Sequence, residues 1–305
     1  MKELNDLIDH CYNLYVNNGC LKCNNNNNCQ RNCDCGTCLS HILFQSHPSF
    51  HYPCDRITYY YTLRFIDRFA SEILRFFLLK GIKFDKREYY FVSLGCGPGS
   101  EIYGIVEGLR KRLRDDFTLK YRGYDINPIW GNVQKKTEDL FKNSNCDVKF
   151  HAKDMISDWQ DLDNCEIFAL VMNYLLSDCQ KYMQQIELIK FLDSIVSFIL
   201  QHKIKFLVFN DINYYGYKQF EFDSGTKCME YIIKRLEILK DSNLLVKKLQ
   251  PLRVCYPNDR FIPSGWNVWG NSNLLMNTDT QKTAIANAWS ECRSKYIIAR
   301  IEYLP

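Results

Sequence analysis

Glycine recurs at every second position in Leu94-Gly95-Cys96-Gly97-Pro98-Gly99, between an apolar run and a helical pattern. Glycines at such a corner let backbone come against a ligand. A helix starting at Ser100 turns unpaired N–H groups toward the same place. The chemistry implied is capture of a nucleotide-like small molecule, although any tight bend also uses glycine. The third glycine comes one residue earlier than in the dinucleotide fingerprint, and no Gly-Lys-Ser/Thr follows as in a Walker loop. Polar groups stand at the ends of later apolar runs: Asp125, Asp154, Asn173, and Asn210 with Asp211. A carboxylate at Asp125 can accept both hydroxyls of a ribose. Taken singly, each Asp also suits a helix N-cap.

Thiols form the second constellation. Of fifteen cysteines, eight fall in the first 54 residues: Cys11, Cys20, Cys23, Cys29, Cys33, Cys35, Cys38 and Cys54. Pairs two residues apart deliver two thiolates to one tetrahedral ion. The candidate ligands are therefore Cys20, Cys23, Cys29, Cys33, Cys35, Cys38 and Cys54, with His41, His47 and His51 nearby, and zinc is the expected metal. An iron–sulfur cluster and a metal-free segment are the alternatives. Residues 18–55 hold almost no aliphatic core, so bound metal would supply the folding energy they lack. Over residues 1–56, Lys2, Lys22, Arg31 and Arg56 are outnumbered by Glu3, Asp6, Asp9, Asp34 and Asp55. Phosphate contacts need clustered cations. A structural clip is favoured over a nucleic-acid module.

These residues need a scaffold. At 305 residues, with 46% hydrophobic and 24% charged residues, the chain can bury a full core, and a net charge of +4 argues for no particular partner. No run reaches the roughly 20 apolar residues of a membrane span. The first residues lack the apolar stretch of a secretory signal, so an intracellular protein, cytoplasmic or nuclear, is expected. Helical spacing marks 1–17, 56–80, 100–114, 129–142, 180–201 and 225–240. Strand patterns mark 90–94, 119–124, 148–151, 165–173, 204–210, 252–256 and 296–303. Alternation of this kind predicts an α/β fold, a seven-stranded, mostly parallel, doubly wound sheet. Residues 1–55 would form a small Cys-rich metal module and 56–305 the sheet domain. The stretch 257–292 reads as a long loop of the kind that forms lids.

Leu94–Gly99 resembles the first motif of class I S-adenosylmethionine-dependent methyltransferases. Tyr124-Asp125-Ile126-Asn127-Pro128-Ile129-Trp130 resembles the second. The resemblance covers about residues 57–305. It implies a cofactor site of Gly95, Cys96, Gly97, Pro98, Gly99, Asp125, Ile126, Asp154, Met155 and Asn173. Ile126 would pack on adenine and Asp154-Met155 would meet its amino group. One departure is Ser93, where the family usually carries an acid; Glu101 is a candidate substitute. Asn173-Tyr174 begins like the Asn/Asp-Pro-Pro-aromatic motif of DNA amino-methylating enzymes, but Leu175 and Leu176 replace the prolines. Asn173, Tyr174, Asp178 and Asp211 are the candidate catalytic residues. The resemblance implies methyl transfer, and the extra N-terminal module and the long late stretch favour a large acceptor, RNA or protein. A small-molecule acceptor, a catalytically silent binding protein and a zinc-dependent nucleic-acid binder are the competing readings.

Overall fold

The computed structural model describes residues 1–17, 35–44, 52, 54–79, 81–153, 162, 166–212, 225–239, 244–249, 267–276, 278, 280–289 and 291–303. Helices α1 (Lys2–Asn17), α2 (Cys35–Phe44) and α3 (Asp55–Leu78) precede the sheet. There follow β1 (Glu88–Leu94), α4 (Ser100–Leu113), β2 (Thr118–Asp125), a 3-10 turn Pro128–Trp130, α5 (Gly131–Phe141), β3 (Cys146–Ala152) and β4 (Ala169–Asn173). The chain continues with α6 (Leu176–Tyr182), α7 (Gln185–Gln201), β5 (Phe206–Ile212) and α8 (Gly225–Ile238). It ends with β6 (Leu244–Leu249), β7 (Asn267–Asn273), α9 (Thr280–Ala284) and β8 (Glu291–Tyr303).

The strand order is β3-β2-β1-β4-β5-β8-β6, with β7 also paired to β8. The first five are parallel; β8 runs antiparallel to β5, β6 and β7. The central strands alternate strictly. Phe91, Val171 and Val208 enter one apolar cluster, while Val92, Leu170 and Leu207 enter the other. Both faces are therefore covered, as a parallel sheet requires. Helices α1, α3, α4 and α5 cover the first face and α6, α7 and α8 the second.

Helix α3 lies unusually close to α4. A methyl on Gly104 would come within 2.2 Å of the Ala70 carbonyl, and one on Gly108 within 2.2 Å of the Phe77 ring. The Gly104-xxx-Gly108 spacing thus lets the two backbones touch. The described residues among 274–289 cover the outer side of α3: Ser71 accepts from the amides of Leu275 and Met276, Thr278 donates to Asp67, and Arg64 donates to the Ala286 carbonyl. Burial on all sides explains why Asp67, Arg68, Glu72 and Arg75 are each under a tenth exposed.

Several expectations need correction. The path of the sheet has the seven strands expected, and an eighth described strand, Asn267–Asn273, pairs with β8 inside the stretch read as a loop. The described part of that stretch is strand and cover for α3. The strand before it is Leu244–Leu249; the expected strand at 252–256 lies outside the described residues. The helix expected over 180–201 is two helices, broken at Met183, whose extended backbone ends α6. Residues 35–44, read as dependent on metal, form α2, whose Cys35 and Leu39 are buried in the same cluster as α1, α3 and the sheet.

Candidate functional site

Strands β1, β2 and β4 end side by side, with Leu94 level with Tyr124 and Met172. The order of crossovers reverses between β1 and β4, the place where open α/β sheets bind ligands. Beyond these ends lies a cavity of about 340 Å3 lined by Gly95, Gly97, Asp125, Ile126, Asn173 and Asp178 among others.

The glycine turn has the shape its composition requires. Gly95, Gly97 and Gly99 have φ of +59°, +50° and +75°, values that L side chains adopt only with strain. A methyl on Gly99 would lie 2.4 Å from the Phe150 ring, and one on Gly95 2.6 Å from Leu175. The Gly97 amide donates to Asp125 Oδ2 at 2.8 Å, and the Asn127 amide donates to Oδ1 at 2.9 Å. Gln134 Nε2 donates to the Gly97 carbonyl at 2.7 Å. Asp125 is thereby fixed at the cavity wall, each oxygen keeping a free lone pair. Burial pushes its carboxyl up to about 6, against the lowering effect of the two amides. Cys96 and Pro98 shape the turn without lining the cavity; the Cys96 amide donates to the Tyr124 carbonyl at 3.1 Å.

Behind the turn, Ser93 points at Glu101. Its hydroxyl donates to Glu101 Oε1, and Tyr121 donates to the same oxygen at 2.9 Å. A carboxylate thus reaches the neighbourhood of residue 93 from the first turn of α4. Burial raises Glu101 to about 7, although both hydroxyls lower it.

At the end of β4 the polarity of one amide is dictated by a chain of partners. Arg68 pairs with Glu72 at 2.9 Å beneath the cavity, both side chains almost fully buried. The Glu72 carboxylate only accepts, so Asn210 must turn its amino end to it, at 2.6 Å. Asn210 donates its second hydrogen to Asn173 Oδ1, at 2.7 Å. Asn173 must therefore present its own amino end elsewhere. It lines the cavity, is 8% exposed, and that amino group meets no partner among the described residues.

The other predicted residues divide. Tyr174, at φ +59°, lines the cavity with its ring. Its hydroxyl is spent on Glu72 at 3.0 Å and on Arg68 at 2.6 Å. Asp211 is 1% exposed and accepts from the Ser177 amide at 2.9 Å, outside the cavity lining. Asp178 lines the cavity, and its carboxylate accepts no hydrogen bond from the described residues. Burial, then Asp211 and Asp125, raises it to about 7, Lys181 opposing. Ile126, 67% exposed, stands at the rim. Asp154 and Met155 lie outside the described residues; Lys153, just before them, lines the cavity.

An aromatic wall adjoins these groups; in the sequence Trp130 suits stacking on a ligand as well as a core position, whereas Tyr61 reads only as part of a core stripe. Tyr52, Tyr61 and Trp130 line the cavity, with ring centroids 4.8 to 5.6 Å apart. Tyr61 belongs to the α3 stripe, and nothing in its spacing separates it from the buried positions beside it. Ile42 and Leu43 of α2 complete the wall, held to α6 by Tyr182 and Lys181, which donate to their carbonyls at 3.2 Å. The signal for this roof was the apolar run Leu39, Ile42, Leu43.

Among the described residues no group of three or more His, Cys, Asp or Glu can hold a metal. Cys35 is 2% exposed in the apolar cluster, and Cys38 and Cys54 pack against that cluster. Cys20, Cys23, Cys29 and Cys33 lie outside the described residues.

No protein-family model and no curated protein matches the chain. Solved structures match at the level of fold. The plantazolicin methyltransferase BpumL in complex with SAH has a TM-score of 0.43 at 11% identity, covering 98% of this chain and 100% of that one. A Listeria monocytogenes protein assigned to the class I S-adenosylmethionine-dependent methyltransferases scores 0.42 at 13% identity, over 77% of this chain and 59% of that. The Pnkp1/Rnl/Hen1 RNA repair complex scores 0.40 at 11% identity, over 76% of this chain and 41% of that. This chain thus spans about half the length of the last two. At these scores the likeness carries no functional argument, which falls to the site's own geometry.

Proposed function

We propose that the chain is an S-adenosylmethionine-dependent methyltransferase. The observation that carries the reading is the Gly97–Asp125 lock, 2.8 Å long, at the wall of a cavity opening at the switch point of the sheet. Three groups suit the cofactor. The glycine turn leaves bare backbone where side chains would clash, Asp125 keeps free lone pairs for ribose hydroxyls, and exposed Ile126 offers an apolar face for adenine. S-adenosylmethionine supplies a methyl group already activated on a sulfonium. The protein's share is then alignment, exclusion of water and, for a protonated acceptor, a base. Asn173 holds its donor toward the cavity, and Asp178 presents there a carboxylate that accepts no hydrogen bond from the described residues.

A macromolecular acceptor, RNA or protein, belongs to this proposal. No described helix is long and apolar enough to cross a membrane. Zinc is proposed for Cys20, Cys23, Cys29 and Cys33, and Cys35, 2% exposed within the apolar cluster, is left out of the ligand set. Its support is their spacing, and elemental analysis of the purified chain decides it: bound zinc is expected, and a metal-free chain ends the reading.

Calorimetry with S-adenosylhomocysteine tests the main reading. Micromolar binding is expected, weakened at least tenfold by Asp125→Ala. No heat with the wild-type chain, or an unchanged affinity in the variant, overturns it.

A further inference from the structure

The cavity carries a charge pattern that the cofactor alone does not account for. Asp125 is engaged by two backbone amides, whereas Asp178 accepts no hydrogen bond from the described residues. Both act electrostatically on the Tyr52 and Tyr61 hydroxyls, so the four groups face one space. Among the described lining residues only Lys153 is basic. The rings of Tyr52, Tyr61 and Trp130 stand against one another across that wall. An unbonded carboxylate beside aromatic faces is a setting for an organic cation, which gains from ring quadrupoles and from the carboxylate together. The same setting repels a phosphate or a carboxylate. Independently, Asn173 is more than nine-tenths buried and aims into the cavity an amino group that meets no partner among the described residues. A ligand must supply an acceptor to it.

We propose that the methyl acceptor is an alkyl amine, which narrows the proposed acceptor to protein rather than RNA, and that it arrives as an ammonium held by Asp178 and the aromatic wall, with a neighbouring oxygen on Asn173. This rests on the methyltransferase reading for its chemistry but not for its binding site. The ammonium gives one proton to the Asp178 carboxylate. The freed nitrogen lone pair forms the N–C bond to the donor methyl as the S–C bond breaks with its pair on sulfur. The product is an N-methylammonium and a neutral thioether, and Asp178 returns its proton to water.

Asp178 suits that task because burial holds its carboxyl near 7, where it both accepts and releases a proton. The groups facing it are Asp211 from β5, Asp125 from β2, Lys181 from its own helix, and Tyr52 and Tyr61 from the wall.

The test uses the full chain and an isosteric pair, 2-phenylethylamine and 2-phenylethanol, followed by calorimetry and tryptophan fluorescence. At pH 8 the amine is expected to bind at least tenfold more tightly than the alcohol. The preference should fall to twofold or less at pH 5, where Asp178 is protonated while the probe stays cationic. It should fall equally in Asp178→Asn at pH 8 and persist in Asp125→Asn. Equal binding of amine and alcohol at pH 8, or a preference that survives in Asp178→Asn, overturns the proposal. Titration with S-adenosylhomocysteine reads the other site: amine preference without that binding removes the methyltransferase reading alone, and the converse removes the acceptor assignment alone.

Discussion

Glu101 gives the sharpest test of how the site is held. Its side chain is 1% exposed, accepts from Ser93 and Tyr121, and has its carboxyl raised from 4.5 to about 7 by burial. A folded-state value above the unfolded one means that the native chain holds this proton more tightly. Below about pH 4 both states are protonated and nothing is lost. Between about pH 4.5 and 7 the unfolded state ionises while the native state keeps its proton, so stability falls. Above 7 the loss is complete. A shift of two to three pH units at about 1.4 kcal/mol each amounts to about 3 kcal/mol. In Glu101→Gln the amide oxygen can still accept from both hydroxyls, but the titration is gone. The variant should gain on wild type by about 1 kcal/mol at pH 5 and about 3 kcal/mol at pH 8. Any pH-independent cost of the new amino group shifts both values equally, so the readout is the change between them.

Urea unfolding of both proteins at intervals from pH 5 to 9 measures that change. Asp125 and Asp178 titrate in the same range but are present in both chains, so the difference isolates Glu101. A difference constant to within about 0.5 kcal/mol over this range would refute the reasoning, because that is the scale of ordinary surface substitutions.

Three other outcomes follow from the same geometry. Arg68→Met should destabilise the fold by about 3–5 kcal/mol, since it strands Glu72 as a buried unpaired carboxylate; denaturant unfolding reads it, and Arg68→Met with Glu72→Leu should recover much of the loss. Gly104→Ala should cost about 1–3 kcal/mol by overpacking against the Ala70 carbonyl, measured by thermal unfolding, whereas Gly131→Ala, with no neighbour within 4 Å, should cost none. Gly99→Ala should weaken S-adenosylhomocysteine binding at least tenfold in calorimetry, because φ is +75° and the new methyl meets Phe150.

The sheet was legible because parallel strands advertise themselves. The runs at 90–94 and 206–209 are buried on both faces, so every residue except Ser93 is apolar or aromatic and the period of two disappears. The glycine turn and Asp125 were legible for a related reason: positive φ and strand-end carboxylates demand particular residue types. What failed was information carried by partners distant in sequence. Asn267–Asn273 lacks an aliphatic run; it is a strand because β8 extends to Glu291 and offers a free edge there. The apolar residues of α2 looked too few for a core because their partners are on α1 and α3.

The candidate site shows the same division at the level of single atoms. That Asn173 would stand at the end of β4 follows from the sequence, but whether its amide accepts or donates does not. The direction is set by Glu72 through Asn210, two residues contributed by α3 and β5. Reversing it requires changing neither Asn173 nor the cavity. In Glu72→Gln the side chain can donate as well as accept, and Asn210 is free to turn its carbonyl inward. Asn173 can then turn its own carbonyl to the cavity and stop donating there. Binding of 2-phenylethylamine would keep its Asp178 contact. A ligand whose oxygen relies on Asn173 would lose roughly tenfold, the value of about one hydrogen bond. An unchanged affinity for such a ligand in Glu72→Gln would mean that the relay does not set the polarity of the site.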